Sequence, residues 1–161
     1  MAGQTAVQVI NMSLGGSANI LIEKAVAKAT EKGIIVVASA GNNGPFNKKK
    51  NYPGAYKPVI AVAVSDGSGR VARFSSAGPY VEFTTPGVRV WSVVPGGGKA
   101  MLGTSFSSPI LAGFTAALIK YKGIKELEPI RQHFRKHAKD RDKKAWDKYS
   151  GWGFVRISSP C

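Results

Sequence analysis

Residues 7–12 form an apolar run that closes on Ser13-Leu14-Gly15-Gly16, the pattern of a buried strand ending in a loop. The period then lengthens. From Ser17, a residue suited to cap a helix, to about Lys32, Leu21, Ile22, Ala25, Val26 and Ala29 share one helical face. Glu23, Lys24, Lys28, Glu31 and Lys32 share the other, and Gly33 supplies the stop. Residues 34–40 are again apolar and run into Gly41-Asn42-Asn43-Gly44-Pro45. Two strands apolar throughout with a helix between them predict a parallel βαβ unit, and so an α/β fold. A ligand site is then expected at the carboxyl ends of those strands.

Further along, residues 46–58 read as a polar loop carrying Lys48-Lys49-Lys50, residues 59–64 as a third apolar strand, and Asp66-Gly67-Ser68-Gly69 as a turn. Short β-like pieces over residues 71–94, broken at Gly78-Pro79 and Pro86-Gly87, lead to the flexible Pro95-Gly96-Gly97-Gly98. Residues 110–121 are apolar all round, which predicts a central buried helix with Pro109 near its first turn. A more polar helix over about 127–138 places Ile130 and Phe134 on its inner face, and a lysine-rich stretch to Lys148 reads as an exposed loop. There is no internal repeat and no linker, so residues 1–161 are expected to form one domain.

Composition narrows the classes. With 43% hydrophobic and 20% charged residues the chain is globular rather than disordered, and its 19 glycines and 9 prolines suit many tight loops. Cys161 is the one cysteine, which excludes an internal disulfide and a zinc-thiolate site and leaves the redox compartment undetermined. No apolar run approaches the length of a membrane span, and residues 1–4 lack the features of a signal peptide. The net charge of +14 raises nucleic acid as a partner. Residues 1–119 hold 11 basic side chains and residues 120–148 another 11, so the excess is spread like a solvated surface, and no nucleic-acid motif accompanies it. Neither nucleic acid nor membrane is therefore expected as a partner.

Two loops carry candidate chemistry. Ser105 follows Gly103 and precedes the apolar helix, where backbone N–H groups and the helix dipole favour a nucleophile, although a serine there also caps. Asn42 follows a strand end, where its amide could donate to an oxyanion, although Asn-Asn-Gly is also a turn sequence. From spacing alone, cap and turn are the simpler readings.

Several segments in order change that balance. Val9-Ile10-Asn11-Met12-Ser13-Leu14-Gly15-Gly16, Val36-Val37-Ala38-Ser39-Ala40-Gly41-Asn42, Tyr52-Pro53-Gly54 and Phe74-Ser75-Ser76-Ala77-Gly78 with Thr85-Pro86-Gly87 are the first. Gly103-Thr104-Ser105-Phe106-Ser107-Ser108-Pro109 and Ser150-Gly151-Trp152-Gly153-Phe154-Val155 follow. Together they resemble the subtilases, the subtilisin-like serine peptidases, and the fifth resembles that family's Gly-Thr-Ser-Met-Ala-Ser/Thr-Pro nucleophile motif. The resemblance implies a three-layer α/β fold with a mostly parallel sheet and hydrolysis of peptide bonds through an acyl-enzyme. It implies Ser105 as nucleophile and Asn42 as oxyanion donor. It also implies a substrate cleft made of Ser13, Leu14 and Gly15 on one side and Ala40, Gly41 and Thr104 with Asn42 on the other, binding an extended peptide by strand addition.

The family's triad also needs an aspartate in Asp-Ser/Thr-Gly and a histidine in His-Gly-Thr-His, both before the cleft strand, and neither motif occurs here. The expected object is thus the C-terminal portion of a subtilase catalytic domain, inactive alone. His133 and His137, four apart on a basic helix, and Asp66, in a glycine turn, are read as structural. The missing first strands leave an apolar sheet edge, which implies a complementing N-terminal segment or chain with the Asp and His, or self-association. A fragment of an ordinary peptidase, half of a split enzyme and an inactive peptide- or partner-binding module all fit this pattern. No cofactor is required. Structural calcium is implied by the family without assignable ligands, and the triple lysine beside the Tyr52 loop argues against strong cation affinity there. Localisation is left open, the family being mainly secreted.

Overall fold

The computed structural model describes residues 7–140 and 145–156. Residues 1–4 of the leader argument, residues 141–144 of the lysine-rich loop and Cys161 lie outside the described residues. In chain order the elements are β1 (Val9–Met12), α1 (Ile20–Glu31), β2 (Ile35–Ser39), β3 (Val59–Ser65), β4 (Val81–Pro86), β5 (Val88–Val94), β6 (Gly97–Leu102), α2 (Thr104–Lys122) and α3 (Leu127–His137). The first four strands form one parallel sheet in the order β1-β2-β3-β4, and β5 and β6 form a separate antiparallel hairpin.

Strands β2 and β3 are buried at every position because helices cover both faces of the sheet. Alternation sorts their side chains. Ile35, Val37, Ile60 and Val62 join Phe83 against Leu111 and Ile119 of α2 and Ile130 and Phe134 of α3. Val36, Ala38 and Val59 face the other way, against Val26 of α1. The result is the expected three layers: α1, the parallel sheet, then α2 with α3. Among the described residues no helix is long and apolar enough to cross a membrane.

Three local expectations change. Helix α1 is capped by Asn19, not Ser17. The Asn19 Oδ1 accepts from the amides of Leu21 and Ile22 at 2.9 and 3.2 Å, and the Tyr56 hydroxyl holds the Asn19 backbone from the other side. The run over residues 7–12 is not a buried strand. Its helical-layer neighbours cover it only partly, and it is an outer strand of the sheet with Val7 60% exposed. Helix α2 starts at Thr104, contains Pro109 and is not buried all round. Leu111, Thr115 and Leu118 are buried, whereas Pro109, Gly113, Ala116 and Tyr121 lie at the surface. An all-apolar helix pattern reports what a helix tolerates on each side, and burial additionally requires a neighbour.

Candidate active site

Ser105 sits in the first turn of α2, after Gly103, whose φ of 145° lets the chain leave β6 and enter the helix. It is half-buried. Its Oγ donates to the Ser13 carbonyl at 3.3 Å, and its own carbonyl accepts from Ser13 Oγ at 2.9 Å. The neighbouring Thr104 is buried and gathers the second loop. Its amide and its Oγ1 both donate to Asn42 Oδ1, at 2.9 and 3.0 Å, and its Oγ1 accepts from the Gly41 amide at 3.2 Å. With the carbonyl end of the Asn42 side chain so held, its Nδ2 is the end left to donate elsewhere, and Asn42 is exposed. The Ser105 amide lies in the first turn, where helix N–H groups lack intrahelical acceptors.

Ser13, Leu14 and Gly15 leave the carboxyl end of β1, and Ala40, Gly41 and Asn42 leave that of the adjacent β2. The two segments run side by side, tied by Ser39 Oγ donating to the Leu14 carbonyl at 3.1 Å. Leu14 and Gly15 are exposed. Ala40 is fully buried, and its carbonyl accepts from the Tyr80 hydroxyl at 2.9 Å. The structure thus brings all eight sequence-identified positions to one place.

One residue at this place was missed. Asn51 is buried, donates through Nδ2 to the Ser39 carbonyl at 3.2 Å, and sets its carboxamide between the two segments. A Cβ on Gly15 would stand 2.3 Å from Asn51 Nδ2, and one on Gly41 would stand 3.0 Å from Asn51 Cγ. Glycine at both positions makes room for that amide. No periodicity marks Asn51, and the available signal was a polar residue placed directly before the Tyr52-Pro53-Gly54 loop.

Other titratable candidates lie elsewhere. His133 and His137 stack on α3 with ring centroids 4.3 Å apart, and His137 Nδ1 pairs with the His133 carbonyl at 2.7 Å. Burial, then the charges of His137, Lys122 and Lys136, hold His133 below the ordinary histidine value. Asp66 closes its own turn: its Oδ1 accepts from Ser68 Oγ and from the amides of Ser68 and Arg70. The Ser68 hydroxyl foremost, with these amides and Arg70, holds its carboxyl below the usual range. No hydrogen bond joins any of the three to Ser105 or Asn42 among the described residues.

The sequence profile of the Subtilase family matches residues 1–153. The chain belongs to the subtilase family. Subtilisin DY of Bacillus licheniformis is 43% identical over 122 residues, which is 73% of this chain and 44% of that protein. The thermophilic serine proteinase of Bacillus sp. (strain AK1) is 40% identical over 164 residues, or 98% of this chain and 38% of that protein. The solved structure of Sphericase superposes with a TM-score of 0.80 at 34% identity, covering 94% of this chain and 57% of that one. This subtilase chain therefore spans less than half the length of these two curated relatives.

Subtilases generally bind calcium. In the Tyr52–Tyr56 loop, which resembles a family region able to hold a cation through carbonyl oxygens, the carbonyls of Tyr52, Pro53 and Tyr56 accept from the amides of Gly16, Tyr56 and Val59 at 2.9, 3.0 and 3.0 Å. Arg131 Nη2 donates to the carbonyls of Lys57 and Val59 at 3.0 and 3.4 Å and to Glu82 Oε1 at 2.7 Å. That guanidinium places a positive charge just after the loop, which opposes rather than favours a metal ion nearby. Among the described residues there is also no group of three or more His, Cys, Asp or Glu side chains able to hold one.

Proposed function

We propose that this subtilase chain supplies the nucleophile and the oxyanion donors of a serine endopeptidase, and that the aspartate and histidine come from a segment outside these 161 residues. The observation that supports this reading is the Asn42–Thr104–Ser105 arrangement. Two donors on Thr104 hold the Asn42 carboxamide oxygen, so its N–H₂ is presented beside Ser105. A cap would not need a second loop fixed in this way. In the reaction Ser105 Oγ attacks the scissile carbonyl, and the developing oxyanion takes hydrogen bonds from Asn42 Nδ2 and the Ser105 amide. Ser13, Leu14 and Gly15 offer backbone groups to one side of an extended peptide.

The base is the missing part. In the present arrangement the Ser105 hydroxyl donates to the Ser13 carbonyl, an acceptor too weakly basic to take its proton. Neither Asp-Ser/Thr-Gly nor His-Gly-Thr-His occurs in the sequence. The side of β1 that pairs with no strand among the described residues, next to Ser13, is where a complementing strand would pair and bring a histidine within reach of Ser105. The same edge can pair with a second copy of the chain, which would give oligomers without a base.

The test is labelling with a fluorophosphonate, run on the chain alone and mixed with the N-terminal segment of a subtilisin that carries both motifs. Labelling is expected only in the mixture and only with Ser105 present. Replacing Asn42 with alanine should slow it by about 10² to 10³, the size of the loss in a subtilisin, from which the figure is borrowed. Labelling of the chain alone, or labelling that survives Ser105→Ala, would overturn the reading.

A further inference from the structure

Helix α2 carries a proline in its second turn, and the consequence falls on the nucleophile. Pro109 has no N–H, so the carbonyl four residues earlier, that of Ser105, loses its helical donor. That carbonyl is nevertheless bonded. Ser13 Oγ, from the end of β1, donates to it at 2.9 Å.

The hydroxyl inventory fixes the direction of every bond around Ser13. A carbonyl oxygen can only accept, so the single Ser13 proton is committed to Ser105. Two donors then fill the acceptor sites of the Ser13 oxygen. Asn11 Nδ2 lies at 2.9 Å and Ser108 Oγ at 3.0 Å, and Ser108 must be the donor because Ser13 has no second proton. Ser13 Oγ is therefore fully occupied within the protein, with one donation and two acceptances. The Ser13 backbone carbonyl meets the Ser105 hydroxyl from the other side. Both polar ends of Ser105 are thus tied to one residue.

We infer that Ser13 is a positioning residue for Ser105: its side chain replaces the N–H that Pro109 removes and so fixes the turn that carries the nucleophile. This deepens the peptidase reading, on which its catalytic part rests, and it differs from the substrate-contact role that the family resemblance implies for Ser13. The Ser13 hydroxyl has no remaining proton to offer a peptide. It also couples two structural units, because the edge strand β1 reaches α2 through this bond. A strand that docks on β1 thereby acts on the geometry of Ser105.

The test is a cycle of Ser13→Ala, Pro109→Ala and the double variant. Pro109→Ala restores a backbone donor to the Ser105 carbonyl, so Ser13→Ala should be harmful in the parent and nearly silent in the Pro109→Ala background. In the chain mixed with the complementing segment, Ser13→Ala should slow fluorophosphonate labelling by roughly tenfold, within the loss that a small misplacement of a reacting group produces. The double variant should recover most of it. The probe carries no peptide, so a Ser13 that only contacts substrate would leave labelling unchanged, and that result would overturn the proposal. A second measurement needs no activity. In the chain alone, Ser13→Ala should lower the thermal midpoint by about 2–4 °C, and by much less when Pro109→Ala is present. Equal drops in both backgrounds would overturn the link. Absence of labelling in the parent mixture would sink the peptidase reading, and the midpoints would still decide whether Ser13 stands in for the missing N–H.

Discussion

The two edges of the parallel sheet are built in opposite ways. Beyond β4, residues 152–155 run alongside the strand. The Trp152 amide donates to the Glu82 carbonyl, the Thr84 amide to that of Gly153 and the Val155 amide to that of Thr84, all between 2.8 and 3.0 Å. Beneath that edge lies an ion pair, with Arg131 Nη2 2.7 Å from Glu82 Oε1. Beyond β1 no strand lies among the described residues, and the small residues Pro109, Gly113 and Ala116 of α2 also face solvent. The closed edge reaches α2 just past the nucleophile, where Thr85 Oγ1 donates to the Ser107 carbonyl at 2.8 Å, whereas the open one runs directly into Ser13. On the proposed reading, the strand partner that β1 lacks among the described residues and the base that Ser105 needs would be supplied at the same place. A single complementing segment would answer both, since an apolar strand with free backbone groups favours pairing wherever a partner is offered.

The largest effect expected from perturbing this contrast is at the closed edge. Gly151 has φ +64°, and a Cβ there would stand 2.2 Å from the backbone carbon of Glu82, which has no flexible side chain to move aside. Gly151→Ala should cost about 1–3 kcal/mol in urea unfolding of the chain alone, the scale of local backbone strain. A loss under about 0.5 kcal/mol, the range of ordinary surface changes, would mean that the closed edge yields as easily as a loop.

The open edge should behave conversely. Ile10 is only half-buried on an outer strand, so Ile10→Lys should change the stability of the chain alone by no more than about 0.5–1 kcal/mol, since only part of its apolar area is lost. The same change should abolish labelling in the mixture with the complementing segment, because a charge then sits where an apolar strand must dock. Unfolding of the chain by this substitution would show that β1 already belongs to its core. Retained labelling would place the docking surface elsewhere.

Much of the closed side was legible in the sequence, and the reason is physical. Residues 35–38 and 59–64 are apolar without alternation, a pattern that only a sheet covered on both faces sustains, and they proved buried at every position. Burial at β1 and on α2 could not be read in the same way. Ile10 and Ala116 would have the same identity whether covered or not, and their exposure depends on elements outside the local pattern. The cap of α1 fell at Asn19 because Ser17 and Asn19 are both competent caps, and the Tyr56 hydroxyl, distant in sequence, holds the Asn19 backbone. At the site, motif residues such as Thr104 and Asn42 were found by their type and order. Asn51 was not, because its role depends on two glycines, Gly15 and Gly41, that approach it only in the folded chain.

The smallest expected effect is a pH dependence confined to the closed edge. Glu82 is held by two opposed influences. Burial, the larger, raises its carboxyl above the ordinary value of 4.5, while the hydrogen bonds and charge of Arg131 lower it. A carboxyl that binds its proton more tightly folded than unfolded makes the native state the better proton binder between those two values. Stability therefore falls as pH rises from about 4.5 through the higher folded value, and is level beyond it. Glu82→Gln removes the titration, and the loss of the partner of Arg131 enters as an offset that does not vary with pH. The difference in unfolding free energy between parent and variant, followed from about pH 4 to 8, should thus drift against the parent and then level off. β1 contributes nothing to this drift, because Val9, Ile10, Asn11 and Met12 do not titrate. A difference that instead moves in favour of the parent with rising pH would show that the guanidinium outweighs burial. The pair would then be a net clamp on the closed edge rather than a charge tolerated there.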